Sequence, residues 1–79
     1  VTEGVSPLLS QGKKGDRGQI IEFKPTSPEE VRLVELGFKV GAHYEIVEEA
    51  PLSKDPLVIE INGVRIAVRR FLLNQIGVS

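Results

Sequence analysis

The pair Asn62-Gly63 stands between two runs of alternating apolar residues, "LVIEINGVRIAVRR", and limits this chain more than any other feature. A two-residue type I′ turn needs positive φ at both central positions, which Asn and Gly tolerate and most residues resist. Closing the turn there fixes a register. Ile61 falls opposite Val64, Ile59 opposite Ile66 and Leu57 opposite Val68, all apolar, on one side. On the other side Glu60 meets Arg65, an attractive cross-strand pair worth roughly 0.2–1 kcal/mol. A slip of one residue would reverse both faces at once. The chain must therefore carry an antiparallel hairpin over 57–68.

The remaining apolar segments are short and mostly alternate. In "GQIIEFK" Ile21 and Phe23 share one face, with Glu22 and Lys24 on the other. In "HYEIVEE" Tyr44 and Ile46 lie on one side, and Glu45, Val47 and Glu49 on the other. "FLLNQ" suits one helical turn and "IGV" a closing strand. Between them, "PTSPEEVRLVELG" carries the signals of a single helix. Ser27 is a good N-cap, Pro28 suits the first helical position, and Glu30 completes a capping box three residues after Ser27. Glu29 and Glu30 place negative charge at the positive end of the helix dipole. Gly37 closes the helix. Leu33 and Leu36 are expected to lie on the core with Phe38 sealing the next turn, while Arg32 and Glu35 face outward. About five short antiparallel strands and one short helix predict a mainly β fold, closed into a small barrel that leaves no exposed edge.

At 79 residues the chain is one domain, 1–79, with residues 1–7 expected to be loose. It has no cysteine, so neither a disulfide nor a thiolate metal site holds it together. Ten Lys and Arg against eleven Asp and Glu give a formal charge of -1, a balance that argues against a nucleic-acid binder. No apolar run approaches the ~20 residues that cross a bilayer, and no signal-peptide pattern opens the chain, so a cytoplasmic location is expected.

Chemistry-bearing patterns are few. His43 is the single histidine, and no nucleophile stands in a spacing that pairs with it, so catalysis is not expected. By strand alternation His43 shares a face with Glu45 and Glu49, a set whose chemistry suits weak binding of a divalent metal ion; no other cofactor is implied. The loop "GKKGDRG" lacks the order of a phosphate-binding loop and reads as a solvated turn. Arg65, Arg69 and Arg70 make a basic cluster, either a solvated face or a surface for an acidic partner. Binding is the function this inventory leaves.

"RLVELGFKVG" resembles the Arg-Leu-x-x-Leu-Gly-Phe-x-x-Gly signature of the FeoA family, small cytoplasmic accessory proteins of bacterial ferrous iron uptake. The likeness continues through "IVEEAPLSKDPLVIEINGVRIAVRR", with its Ala-Pro-Leu, Asp-Pro-Leu and glycine turn, to the terminal "IGV". It departs at Gly12, where members often carry Leu, and at Val40, where they often carry Pro. The resemblance implies an SH3-like β-barrel that binds the cytoplasmic GTP-binding part of the FeoB membrane transporter, and so sits peripheral to the inner membrane through its partner. On that reading the outward rim of the helix, Arg32 and Glu35, and the loop residues Pro51, Leu52 and Lys54 form the partner surface, with a homodimer left open. The same barrel ends iron-dependent repressors, so the alternative is a metal- or ligand-sensing domain of such a repressor.

Overall fold

The computed structural model describes residues 7–79. Five strands form one antiparallel sheet: β1 (Arg17–Glu22), β2 (His43–Glu49), β3 (Leu57–Ile61), β4 (Val64–Val68) and β5 (Gly77–Val78). They run in the spatial order β4-β3-β2-β1-β5. One helix, α1 (Pro28–Leu36), joins β1 to β2, and short 3-10 turns occupy Leu9–Gln11 and Arg70–Leu73. Apart from Pro7, the segment expected to be loose lies outside the described residues. Pro7 itself is tied in, its carbonyl accepting the Val78 amide at 2.9 Å.

The hairpin has the register that its turn dictates. Leu57 pairs with Val68, Ile59 with Ile66, Glu60 with Arg65 and Ile61 with Val64. Asn62 and Gly63 take φ of 54° and 77°, as a type I′ turn requires. Leu57, Ile59 and Ile61 point to one face and are buried, joining Ile20, Ile46, Phe38, Leu73 and Ile76 in a single core. β4 and β5 are the two ends of the sheet and do not pair with each other, so the expected closure is incomplete. The two 3-10 turns pack against each other and bury Leu9 and Leu73.

Three details differ from expectation. In β1 the core residue is Ile20, fully buried, whereas Ile21 is exposed. The β1–β5 register shifts between Ile20 and Glu22, and Phe23 packs on the core only partly buried. In β2 a bulge between Ile46 and Glu48 breaks the strict alternation. In α1 Leu33 is buried at 5% exposure but Leu36 is 41% exposed.

The helix face is displaced by its own cap. Glu30 is buried, and the buried stripe runs Glu30, Leu33, Gly37, at spacings of three and seven. Leu36 falls on the flank of that stripe. At the helix end the Gly37 amide donates to the Val34 carbonyl and the Phe38 amide to the Leu33 carbonyl, each at 3.0 Å, the paired bonds of a Schellman motif. Gly37 has φ 121°, and a Cβ there would collide with the Asn62 side-chain amide, so the helix end rests on the hairpin turn.

Candidate functional site

The segment Ala50–Pro56 connects β2 to β3 and is built as a braced loop. The Lys54 amide donates to the Ala50 carbonyl at 2.9 Å, and the Ala50 amide donates to the Pro56 carbonyl at 3.1 Å. The Ser53 hydroxyl donates to the Asp55 carbonyl at 2.9 Å. Leu52 and Lys54 take positive φ, 71° and 60°, a region where a non-glycine residue costs on the order of 1–3 kcal/mol. Leu52 sits at the tip with 102% exposure, its whole side chain in solvent. A loop that only had to turn would use Gly or Asn here.

Arg70 holds this loop to the rest of the domain. Its Nε donates to the Lys54 carbonyl at 2.8 Å. Its Nη1 donates to the carbonyls of Ser10 and Gly12, at 2.7 and 2.8 Å. Its Nη2 reaches Glu49 Oε2 at 2.9 Å, in an ion pair with only 25% and 18% side-chain exposure. The Arg70 amide donates to Asp55 Oδ1 at 2.9 Å. Glu49 in turn accepts the Lys14 amide at 3.1 Å. The planar guanidinium thus ties together the 12–15 turn, the 50–56 loop and the 70–73 turn, a geometry that its fixed fork of donors allows and an ammonium cannot reproduce.

The basic cluster of the sequence therefore divides. Arg65 pairs with Glu60 at 3.1 Å and Arg69 lies 3.9 Å from Asp55, both largely exposed, while Arg70 is a structural clasp. A signal for this existed: extending the Leu57–Val68 register by two steps sets Arg69 opposite Pro56 and Arg70 opposite Asp55. Phe71, next in the chain and 68% exposed, carried no such signal.

His43, Glu45 and Glu49 do not share a face. The bulge sets Glu49 opposite Leu57, on the side of the buried residues, whereas Glu45 stays opposite Glu60 on the outer side. Glu49 is taken up by Arg70. On the outer side Arg17, Glu45, Glu60 and Arg65 form one rung across four strands, with Arg17 and Glu45 3.7 Å apart. Each carboxylate there has its own guanidinium, which offsets the repulsion of two glutamates placed directly opposite. Among the described residues no group of three or more His, Cys, Asp or Glu is placed to hold a metal ion.

Arg32 and Glu35 are exposed on α1, beside a shallow concavity that Pro25, Pro28 and Val31 also line. Gly37, two residues after Glu35, abuts the Asn62 turn, which lies at the far end of β3 from the Ala50–Pro56 loop. Five strand residues separate the two ends by roughly 13 Å. The C-terminal end of the helix and the loop thus lie at opposite ends of β3.

Two side chains have shifted protonation. Hydrogen bonds from the Thr26 amide (2.8 Å) and the Thr26 hydroxyl (3.0 Å) hold the Glu30 carboxyl below the usual carboxylate range, with burial opposing them and Ser27 adding to them. The cap therefore differs slightly from the expected box: Ser27 Oγ accepts the Glu30 amide at 3.2 Å, but the carboxylate reaches Thr26, one residue further back. Burial, with the nearby charge of Asp16, raises the Tyr44 hydroxyl above its ordinary value. No helix among the described residues is long and apolar enough to cross a membrane.

Sheet order, helix position and displayed loop define a small SH3-like β domain. Residues 8–79 match the family model described as the FeoA domain. The chain belongs to the FeoA family. Its fold matches a crystal structure of an iron uptake regulatory protein (FeoA) with TM-score 0.78 and 27% identity, over 94% of this chain and 96% of that one. It also matches the iron(II) transport protein A of Clostridium thermocellum, with TM-score 0.82 and 32% identity, over 92% of this chain and 44% of that one. For the FeoA protein of Chlorobium tepidum the values are 0.80 and 32%, over 91% and 68% of the two chains. A manganese-dependent transcriptional repressor shares the fold at 14% identity and TM-score 0.76, with 40% of its length covered. No curated protein matches by sequence.

Proposed function

We propose that this protein is a non-enzymatic accessory factor of ferrous iron uptake that binds the cytoplasmic GTP-binding part of a FeoB-type transporter. Family membership supports the connection to iron transport. The observation that carries the binding reading is Leu52: a large apolar side chain wholly in solvent, on a loop whose strained backbone is braced by its own hydrogen bonds and by Arg70. Preorganisation of this kind lowers the entropy cost of association. Pro51 and Lys54 flank it and share the contact. Arg32 and Glu35, at the other end of β3, form a second and separate surface. The protein then works in the cytoplasm, at the inner membrane only through its partner.

Calorimetric titration of the protein into the purified cytoplasmic domain of the transporter, with and without guanine nucleotide, tests this reading. Saturable one-to-one binding is expected. No saturable binding heat at two temperatures, with or without nucleotide, would overturn it.

A further inference from the structure

The face that carries Leu52 has chemistry of its own. Phe71 is exposed on the 3-10 turn that directly follows the clasp residue Arg70, and Arg70 bonds the loop at Lys54 and Asp55. Two large apolar side chains thus stand on segments fastened to each other. Cations stand on the segments fastened together here. Lys54 and Arg69 come from those same segments, and Lys13 and Lys14 from the turn that Arg70 and Glu49 hold in place.

Three of the four carboxylates of this region are in ion pairs, and the fourth, Asp16, accepts the Lys13 amide. Glu48 lies 3.5 Å from Lys14, Glu49 pairs with Arg70, and Asp55 serves Arg69 and the Arg70 amide. Among the described residues Lys13 and Lys54 carry no ion pair. The face therefore has positive charge to offer on a chain whose formal net charge is -1. Acidic side chains placed around an apolar pocket would meet both parts of it, the charges steering encounter and the Leu52 and Phe71 anchors giving residence.

We infer that Leu52 and Phe71 are the apolar anchors of a basic-rimmed docking face whose occupant is an acidic protein segment with an apolar pocket. This rests on the proposed transporter-binding role, and names the chemistry of the surface that the transporter's cytoplasmic domain must present. A membrane surface is the rival occupant, since lysines beside Leu and Phe also suit anionic lipid. Two features favour protein. The lysines are interleaved with exposed Glu48, and the apolar groups are two isolated side chains on rigid turns instead of one face of an amphipathic helix.

Leu52→Asn is the discriminating variant, because Asn tolerates positive φ better than Leu and the loop should keep its shape. Binding of the transporter's cytoplasmic domain would be measured for the wild type, Leu52→Asn, Phe71→Ser, the Lys13→Glu/Lys54→Glu pair, and Leu36→Ser as a control at the opposite end of β3. Thermal melts check that each variant is folded. The expected result is at least a tenfold loss for Leu52→Asn, for Phe71→Ser and for the charge reversal, with Leu36→Ser unchanged. Wild-type affinity should also fall steeply between 50 and 300 mM salt, on the order of tenfold. If the wild type binds and all the face variants bind equally, the docking face is wrong while the transporter reading stands. If the wild type does not bind the domain, both fall together. A parallel arm uses vesicles of one part phosphatidylserine to three parts phosphatidylcholine. Leu52-dependent capture on those vesicles, without loss of domain binding in the variants, would assign the face to lipid and overturn the inference.

Discussion

Arg70 shows how much one side chain can organise. Four of its contacts are to groups at least 15 residues away in sequence, and its partner Glu49 is 18% exposed. Removing the guanidinium leaves a part-buried carboxylate and three carbonyls without their donor, which costs about 3 kcal/mol. Arg70→Ala should therefore lower the urea midpoint markedly. Arg70→Lys should recover less than half of the loss, since an ammonium cannot serve Lys54, Ser10, Gly12 and Glu49 together. Urea titration of the two variants checks both statements. Glu30 makes a second prediction. Its carboxyl titrates lower in the folded protein than in the unfolded chain, so ionised Glu30 stabilises the fold at neutral pH. That contribution is complete above the unfolded value, near 4.3 for a free glutamate, and is lost as pH falls through the lower folded value. Stability measured from pH 6 down to pH 2 should decline less steeply in Glu30→Gln than in the wild type. At this scale the sequence showed the cap residues clearly, since capping is local. Of Arg70 it showed only the neighbourhood of Asp55, because the carbonyls that the guanidinium seeks come from loops distant in the chain.

The elements differ in how much their sequence revealed. The hairpin was fully legible, because turn chemistry and alternation agree on one register from Leu57 to Val68. The helix was legible in its ends but not in its orientation. Counting apolar residues assigns Leu33 and Leu36 to the core; the buried polar group Glu30 rotates the face away from Leu36. Stability measurements separate the two positions. Leu33→Ala should cost about 2–5 kcal/mol, and Leu36→Ala about 1 kcal/mol or less, each read as a shift in denaturation midpoint. Equal losses would return Leu36 to the core. The bulge in β2 was hidden for another reason. "HYEIVEE" alternates well enough to look regular, and only the partner strand shows that Glu49, and not Glu48, aligns with Leu57. That single extra residue turns the Glu49 carboxylate away from the face of His43 and Glu45.

Across the whole molecule, one core links the sheet, the helix and both 3-10 turns. Tyr44, the single tyrosine, is buried in that core and opposite both Gly18 and Ile61. With no tryptophan in the chain, its fluorescence reports the centre of the domain. Thermal or urea unfolding followed by Tyr44 emission and by far-ultraviolet circular dichroism should give superimposable transitions. Separate midpoints would mean that the core and the sheet do not melt as one unit. The overall class was legible from strand count and motif, whereas the two-surface arrangement was not. Sequence places Glu35 and Leu52 only 17 positions apart, but β3 holds their surroundings at opposite ends.

The clasp also imposes an order on the life of the chain. Leu52 is synthesised well before Arg70, and the loop that displays it is fastened only once residue 70 has left the ribosome and folded back. A chain that has not yet reached residue 70 can form the β2–β3 pairing and the bonds within Ala50–Pro56, but it lacks the donors that tie Lys54 and Asp55 to the rest of the domain. Fixing Leu52 in its displayed shape therefore depends on a residue that follows it by 18 positions in the chain.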